Sequence, residues 1–265
     1  MIKLIAADLD GTLLAPGGFE MPERNRAAIG KAVSMGVRFV VCTGRIFPGG
    51  RKFALEVEGD QPVICVNGAV VRMSRSLRYL RRVSIEPCLA EAVVSEIRRS
   101  GVRPWYYEGD ICYAEEPGPA LENMKQRTGA EVRIVPRLDV PAGRRPEKII
   151  AVLGADRARE LQSSLEARFG GQLYVTRSGK SQVEVLNPQG TKGKALEMIA
   201  ARYGIEKQDI AAFGDNLNDI ELFRAAGIRV AMGNGEDELK AAADIIAPPN
   251  GAAGVGQVLE KLLRL

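Results

Sequence analysis

The 265-residue chain contains no histidine. That absence excludes Ser-His-Asp triads, Cys-His nucleophiles, histidine phosphatases and His-ligated zinc, so proton transfer must fall to carboxylates, Lys, Cys or Tyr. No apolar run approaches the length of a membrane span. The first apolar stretch carries Lys3 and ends at Asp8, too short and too acidic for a secretion signal. The four cysteines (Cys42, Cys65, Cys88, Cys112) form no CxxC pair, and three lie in apolar or strand-like surroundings. Reduced, mostly buried thiols of a cytoplasmic protein are therefore expected. Excess charge is small as well: a net +4 over this length gives no nucleic-acid footprint. Arginines do cluster between Arg72 and Arg82, where a solvated face is expected. Internal repeats and low-complexity segments are absent.

The chain opens on a short buried strand, Ile2–Ala7, that runs into Asp8-Leu9-Asp10-Gly11-Thr12. Residues two apart on an extended chain project to the same side, so Asp8 and Asp10 can face one site. Pro22–Gly36 reads as a helix with a glycine stop, Val37–Cys42 as a strand, Phe47–Val57 as a helix and Pro62–Val66 as a third strand. This βαβαβ order with short connections predicts an α/β fold with a doubly wound parallel sheet. From Ala69 the character changes. Ala69–Ser84 predicts a strand pair leading away from the core. An α+β module with antiparallel pairing is then expected as an insertion over 84–187. From Thr191 the first pattern returns, with Ile210–Phe213 a strand running into Gly214-Asp215-Asn216. The core is thus expected over 1–83 and 188–265.

Four predicted strand or helix ends carry polar clusters: Asp8 with Asp10, then Thr43, Lys192, and Asp215 with Asn218 and Asp219. The last three residues are spaced i, i+3, i+4, which puts them on one helix face. Singly, each has an ordinary structural reading. Thr43 or Asp215 could cap a helix, and Lys192 or Asp219 could be solvated. Together, at one edge of one predicted sheet, they suit a phosphate site. Converging carboxylates call for a hard divalent cation such as Mg²⁺, and a hydroxyl, backbone N–H groups and an ammonium suit a phosphoryl group.

On these residues the sequence resembles the haloacid dehalogenase-like phosphatase superfamily, in its Cof-type branch with a large α+β cap. The motifs that carry the resemblance are Asp8-Leu9-Asp10-Gly11-Thr12, Thr43-Gly44-Arg45, Lys192 within Gly190-Thr191-Lys192-Gly193, and Gly214-Asp215-Asn216-Leu217-Asn218-Asp219. Val230-Ala231-Met232-Gly233-Asn234 and Asn67-Gly68-Ala69 also fit the branch. Gly235 and Gly251-Ala252-Ala253 depart from its usual pattern.

The resemblance implies Asp8 as nucleophile and Asp10 as general acid and base. It implies Mg²⁺ held by the Asp8 carboxylate, the Asp10 carbonyl and the Asp215 carboxylate, with Asp219 orienting these ligands. Thr43, Lys192 and Asn218 would hold the phosphoryl oxygens, with Arg45, Asn67 and Gly68 at the mouth facing the cap. The implied activity is hydrolysis of small phosphorylated metabolites such as sugar phosphates. A sugar phosphomutase and a catalytically idle binding module are the competing readings. A P-type pump is excluded for want of membrane spans. Neither nucleic acid nor membrane is expected as a partner, and the protein is expected to be a monomer or small homo-oligomer.

Overall fold

The computed structural model describes residues 1–140 and 144–264. Its first part alternates β1 (Leu4–Asp8), α1 (Glu23–Ser34), β2 (Arg38–Cys42), α2 (Phe47–Ala54) and β3 (Pro62–Cys65), followed by the hairpin strands β4 (Val70–Met73) and β5 (Tyr79–Arg82). The insertion contains α3 (Pro87–Arg99), β6 (Trp105–Glu108), β7 (Ile111–Ala114), α4 (Pro119–Thr128), β8 (Glu131–Ile134), β9 (Lys148–Val152), α5 (Ala155–Phe169), β10 (Tyr174–Arg177) and β11 (Gln182–Leu186). The chain then returns through α6 (Lys192–Tyr203), β12 (Ile210–Gly214), α7 (Ile220–Arg224), β13 (Ile228–Met232), α8 (Asp237–Ala241), β14 (Ile245–Ala247) and α9 (Gly254–Leu263).

The core sheet has eight strands in the order β14-β13-β12-β1-β2-β3-β4-β5, parallel from β14 to β3. The winding goes outward from β1 through β2 and β3, then restarts at β12 on the other side of β1. The crevice between β1 and β12 is therefore the topological switch point, where open α/β sheets bind ligands beyond their carboxyl ends. Alternation along β1 sorts the two faces. Ile5 and Ala7 pack with α1, α2 and α9 residues such as Ile29, Phe53 and Leu259. Leu4 and Ala6 pack with α6 and α7 residues such as Leu196, Ile199 and Leu222. Asp8 continues the Leu4–Ala6 parity and so emerges on the α6 side.

The strand pair expected to leave the core does not leave it. β4 pairs antiparallel with β3 and β5 with β4, so both extend the core sheet at its edge. Nor are the arginines there simply solvated. Arg72 donates to Asp110 (2.8 Å) and Arg82 to Glu147 (2.5 Å), both on the insertion, and Arg81 bonds the Gln189 carbonyl. The pattern alone could not show this, because each partner lies tens of residues away in sequence.

The insertion forms a second sheet of six strands, β10-β11-β9-β6-β7-β8. Its pairs are antiparallel except β7–β8, which is parallel. The exception follows from α4, which lies between those strands as a crossover too long for a hairpin. Alternation again sets the faces. Tyr106, Ile149, Ala151, Val183 and Val185 pack under α3 and α5. Trp105, Tyr107, Lys148, Ile150, Gln182 and Glu184 face the core's carboxyl edge. The insertion leaves at Ser84 and returns at Asn187, and these two points are tied together: Asn187 Nδ2 donates to the Ser84 carbonyl at 3.0 Å.

Candidate active site

Asp8 is the last residue of β1, and the chain turns at once through a single wide helical turn over Leu9–Leu13. Gly11 sits in the left-handed region (φ 82°), and a Cβ there would overlap the Asp215 carboxylate. Only glycine lets this turn lie against the end of β12. Asp8 lies 8% exposed at the floor of a cavity of ≈ 260 Å³ between the core edge and the insertion. Lys192, the first residue of α6, is fully buried and donates to Asp8 Oδ1 and to Asp219 Oδ1, each at 2.6 Å. Among the described residues no group hydrogen-bonds Asp8 Oδ2.

Asp215, Asn218 and Asp219 do converge, but not on one α-helix as their spacing predicts. Asp215 lies in the loop after β12, and Leu217–Asp219 form a separate tight turn before α7. Asp219 draws the loop in. Its Oδ2 accepts the N–H groups of Asp215 (3.0 Å) and Asn216 (3.1 Å), so with Lys192 its carboxylate holds three donors. Asp215 Oδ1 accepts the Thr12 hydroxyl at 2.8 Å. Thr12 thus tethers the first motif to the fourth, a link that spacing alone did not reveal.

Carboxylate oxygens of Asp8, Asp215 and Asp219 lie within 4.8 Å of one another. Burial raises the Asp8 pKa well above its ordinary value. Lys192 pulls it back, while Asp219, Asp215 and Asp10 push it further up. Asp215 is pushed up to about 7, again by burial first and then by Asp219, against the Thr12 hydrogen bond and Lys192. Burial also works against the Lys192 charge, but the Asp219 and Asp8 carboxylates outweigh it and hold its pKa above the usual lysine range. Three carboxylates with one ammonium leave negative charge uncompensated in a buried place. A hard oxygen donor set with that charge deficit fits a divalent cation such as Mg²⁺.

Asp10 faces a different environment. Arg45 grips it with two hydrogen bonds, Nε to Oδ2 (2.8 Å) and Nη2 to Oδ1 (2.5 Å), and Arg127 of α4 bonds Oδ1 as well. Burial would raise the Asp10 pKa, but the hydrogen bonds and charges of Arg45, then of Arg127, outweigh it and lower it. Arg45 is accordingly more than a residue at the mouth. It is buried, and it also donates to the carbonyls of Gly18 (2.6 Å) and Arg127 (2.9 Å), joining the first motif, the second motif and the insertion.

Thr43 is buried behind the cavity, where its hydroxyl oxygen accepts the Arg45 N–H at 3.1 Å. The Val66–Gly68 turn is clamped to it: Val66 N–H donates to Arg45 O (2.8 Å) and Asn67 N–H to Thr43 O (3.0 Å). Val66 and Asn67 both take positive φ (50° and 55°), which asparagine tolerates but which strains a β-branched valine by about 1–3 kcal/mol. Asn67 points at the insertion and at Asn218, whose Nδ2 donates to Asn67 Oδ1 at 3.2 Å. Gly68 does not face the cavity. With φ 109° it packs on the start of α6, and a Cβ would overlap the Thr191 carbonyl. Sequence reasoning missed the insertion's own contributions, chiefly Trp105, Tyr107, Arg127, Lys148 and Glu184. Strand alternation offered the only signal for the four on strands, and it does not say which face meets the core; Arg127 lies on α4, where nothing local marks it.

This architecture matches a known family. The model of the haloacid dehalogenase-like hydrolases matches residues 5–259. The chain belongs to that family, and within it to the phosphoric monoester hydrolases. It is 29% identical over 286 residues to the 5-amino-6-(5-phospho-D-ribitylamino)uracil phosphatase YwtE of Bacillus subtilis, covering 99% of this chain and 98% of that one. It is 28% identical over 267 residues to the pyridoxal phosphate phosphatase YbhA of Escherichia coli, covering 97% of each. Among solved structures, a haloacid dehalogenase-like hydrolase from Bacteroides thetaiotaomicron superposes with a TM-score of 0.85 at 25% identity, over 99% of this chain and all of that one. No helix among the described residues is long and apolar enough to cross a membrane.

Proposed function

We propose that the protein is a Mg²⁺-dependent phosphatase of small phosphorylated metabolites, working through an aspartyl-phosphate on Asp8. The observation that carries this reading is the Asp8 carboxylate at the switch point, lining the cavity and anchored through one oxygen by a buried lysine, with no hydrogen-bond donor on the other among the described residues. In the first step Asp8 Oδ2 forms a bond to phosphorus as the ester P–O bond breaks, and Asp10 gives a proton to the departing oxygen. In the second, water attacks the same phosphorus, Asp10 as carboxylate takes the water proton, and inorganic phosphate leaves with Asp8 restored. The arginine grip holds Asp10 in the ionised form that suits the second step. Entry of an anionic substrate beside Arg45 and Arg127 competes for that grip, which frees Asp10 to carry a proton in the first.

Lys192, Thr43 and Asn218 supply positive charge and donors for the phosphoryl oxygens, where positioning provides most of the rate. The Asp8 carboxylate, the Asp10 carbonyl and the Asp215 carboxylate would hold the cation, and the three donors on Asp219 suit it to orienting its neighbours. When bound, Mg²⁺ would offset the phosphoryl charge.

We take residues 1–83 and 188–265 as the catalytic core and 84–187 as the cap that selects substrate. The cavity of ≈ 260 Å³ suits compact monoesters. Its wall combines flat and apolar side chains (Trp105, Tyr107, Met124) with polar ones (Asn123, Ser178, Gln182), which suits a ring bearing hydroxyl or amide groups. The names of the B. subtilis and E. coli relatives point to ring-bearing phosphomonoesters of that size. A mutase would need uncommitted cap cations for a second phosphate. Of the cap cations that line the cavity, Lys148 is buried against Glu184, which leaves only Arg127, on Asp10, within reach of an anion.

The test is turnover of a panel of hexose phosphates, nucleotides and pyridoxal 5′-phosphate with Mg²⁺. Asp8→Asn is expected to lose several orders of magnitude, and excess chelator to abolish activity. Full turnover in chelator would refute the reading.

A further inference from the structure

Lys148 and Glu184 form an ion pair in the cap that the reaction scheme above does not use. Both side chains are almost completely buried, 2% and 3% exposed, and Lys148 Nζ lies 2.9 Å from Glu184 Oε1. A buried pair of this kind contributes little net stability compared with apolar residues of similar size. Its contacts suggest another reason for its presence. Lys148 Nζ also donates to the Gly44 carbonyl at 2.8 Å, reaching the Thr43-Gly44-Arg45 turn of the core. Glu184 Oε1 accepts the Ser178 hydroxyl at 2.7 Å, and Glu184 Oε2 accepts Asn67 Nδ2. The cap therefore grips the two core turns that follow β2 and β3, on one side of Asp8.

The contacts also have a direction. A carboxylate is acceptor only and an ammonium donor only. Because Glu184 can only accept, Asn67 must turn its NH₂ group toward it. Its carbonyl oxygen then faces Asn218, which must answer with Nδ2, as it does at 3.2 Å. The charge at position 184 thus decides how two amides in the candidate site are turned. We propose that Glu184, with Lys148, is a positioning pair for the phosphatase reaction: it seats the cap on the two turns and sets the orientation of Asn67 and Asn218. This inference rests on the hydrolase reading above.

The test compares Glu184→Gln with the double variant Glu184→Gln/Lys148→Met, using a small aryl phosphate and Mg²⁺. A glutamine amide can present either end to Asn67, so the fixed polarity is lost, and kcat should fall by up to about 100-fold, the cost of misplacing positioning groups by about 1 Å. The added Lys148→Met change removes the stranded ammonium, so the double variant should recover thermal stability while kcat stays low. A double variant with native stability and native kcat would show that the pair is only structural, and would overturn the proposal.

A second readout does not depend on turnover. Backbone amide exchange at residues 43–46 and 66–69 should quicken in both variants, since the cap no longer holds those turns. Unchanged exchange would also count against the pair. A wild-type protein that fails on every phosphate would refute the hydrolase reading instead, and the exchange result would still judge the seating of the cap.

Discussion

Lys192→Met is the most demanding single substitution for the site. Methionine fills much the same space, so the change removes two charge-assisted hydrogen bonds, to Asp8 and Asp219, and little packing. Both partners remain buried with no counter-ion, and stranding a buried charge in this way costs about 3–5 kcal/mol. For a chain somewhat above 250 residues each kcal/mol lowers the melting temperature by roughly 2–4 °C, so a drop on the order of 10 °C is expected. Added Mg²⁺ should return part of it, because a cation among the remaining carboxylates supplies the missing charge. Turnover should suffer as well. Loss of one preorganised donor near a reacting centre typically costs about 10²–10³ in kcat, and Lys192 in addition fixes the angle of Asp8, the proposed nucleophile. The assay is kcat on an aryl phosphate beside a thermal melt, each with and without Mg²⁺. A variant that melts like the wild type and turns over within about threefold of it would refute the argument, since Lys192 would then be holding nothing that matters.

Two other outcomes follow from named contacts. Asp10→Asn should damage a sugar phosphate more than an activated aryl phosphate, because only the poor leaving group needs the proton; equal losses measured on the two substrates would remove Asp10 from that role. Gly68→Ala places a methyl against the Thr191 carbonyl at a φ of 109°, so a loss of roughly 2 kcal/mol or more in denaturant unfolding is expected, and an unchanged midpoint would show that the turn can move.

Much of the core was legible because its signals are local. Most of the parallel strands are short apolar runs that end at or near glycine or a polar residue, and the βαβ order leaves few ways to wind a sheet. Asp8, Thr43, Lys192 and Asp215 could be placed at one edge for the same reason. What escaped depends on distant partners. Nothing within Ala69–Ser84 says that β4 should pair back onto β3 rather than leave the core. The spacing of Asp215, Asn218 and Asp219 suggested one helix, whereas hydrogen bonds from the loop N–H groups to Asp219 shape a tight turn. Arg45 was placed at the mouth, although its fork closes on Asp10 and on a carbonyl of α4, 82 positions further along. Lys148 and Glu184 were invisible for a sharper reason. In a strand of alternating residues a buried ion pair looks like any polar face turned to water, until a second domain covers it.

The bond between Asn187 and the Ser84 carbonyl bears on how this chain could have been assembled. The insertion enters and leaves the core through two points one hydrogen bond apart, so to the core it resembles a long loop grown from a single position. Closing a gap that short needs only a few residues, and lengthening a loop costs little chain entropy. The backbone of the core sheet can thus close without the insertion, which reaches the site only through side chains such as Arg127, Lys148 and Glu184. Exchange of the whole segment between relatives should give chimaeras that fold, with turnover kept where the donor segment carries counterparts of Arg127, Lys148 and Glu184 and the preference among substrates changed with it. On the division of labour proposed above, breaking a phosphate ester and recognising what it is attached to would meet at this one pair of neighbouring residues.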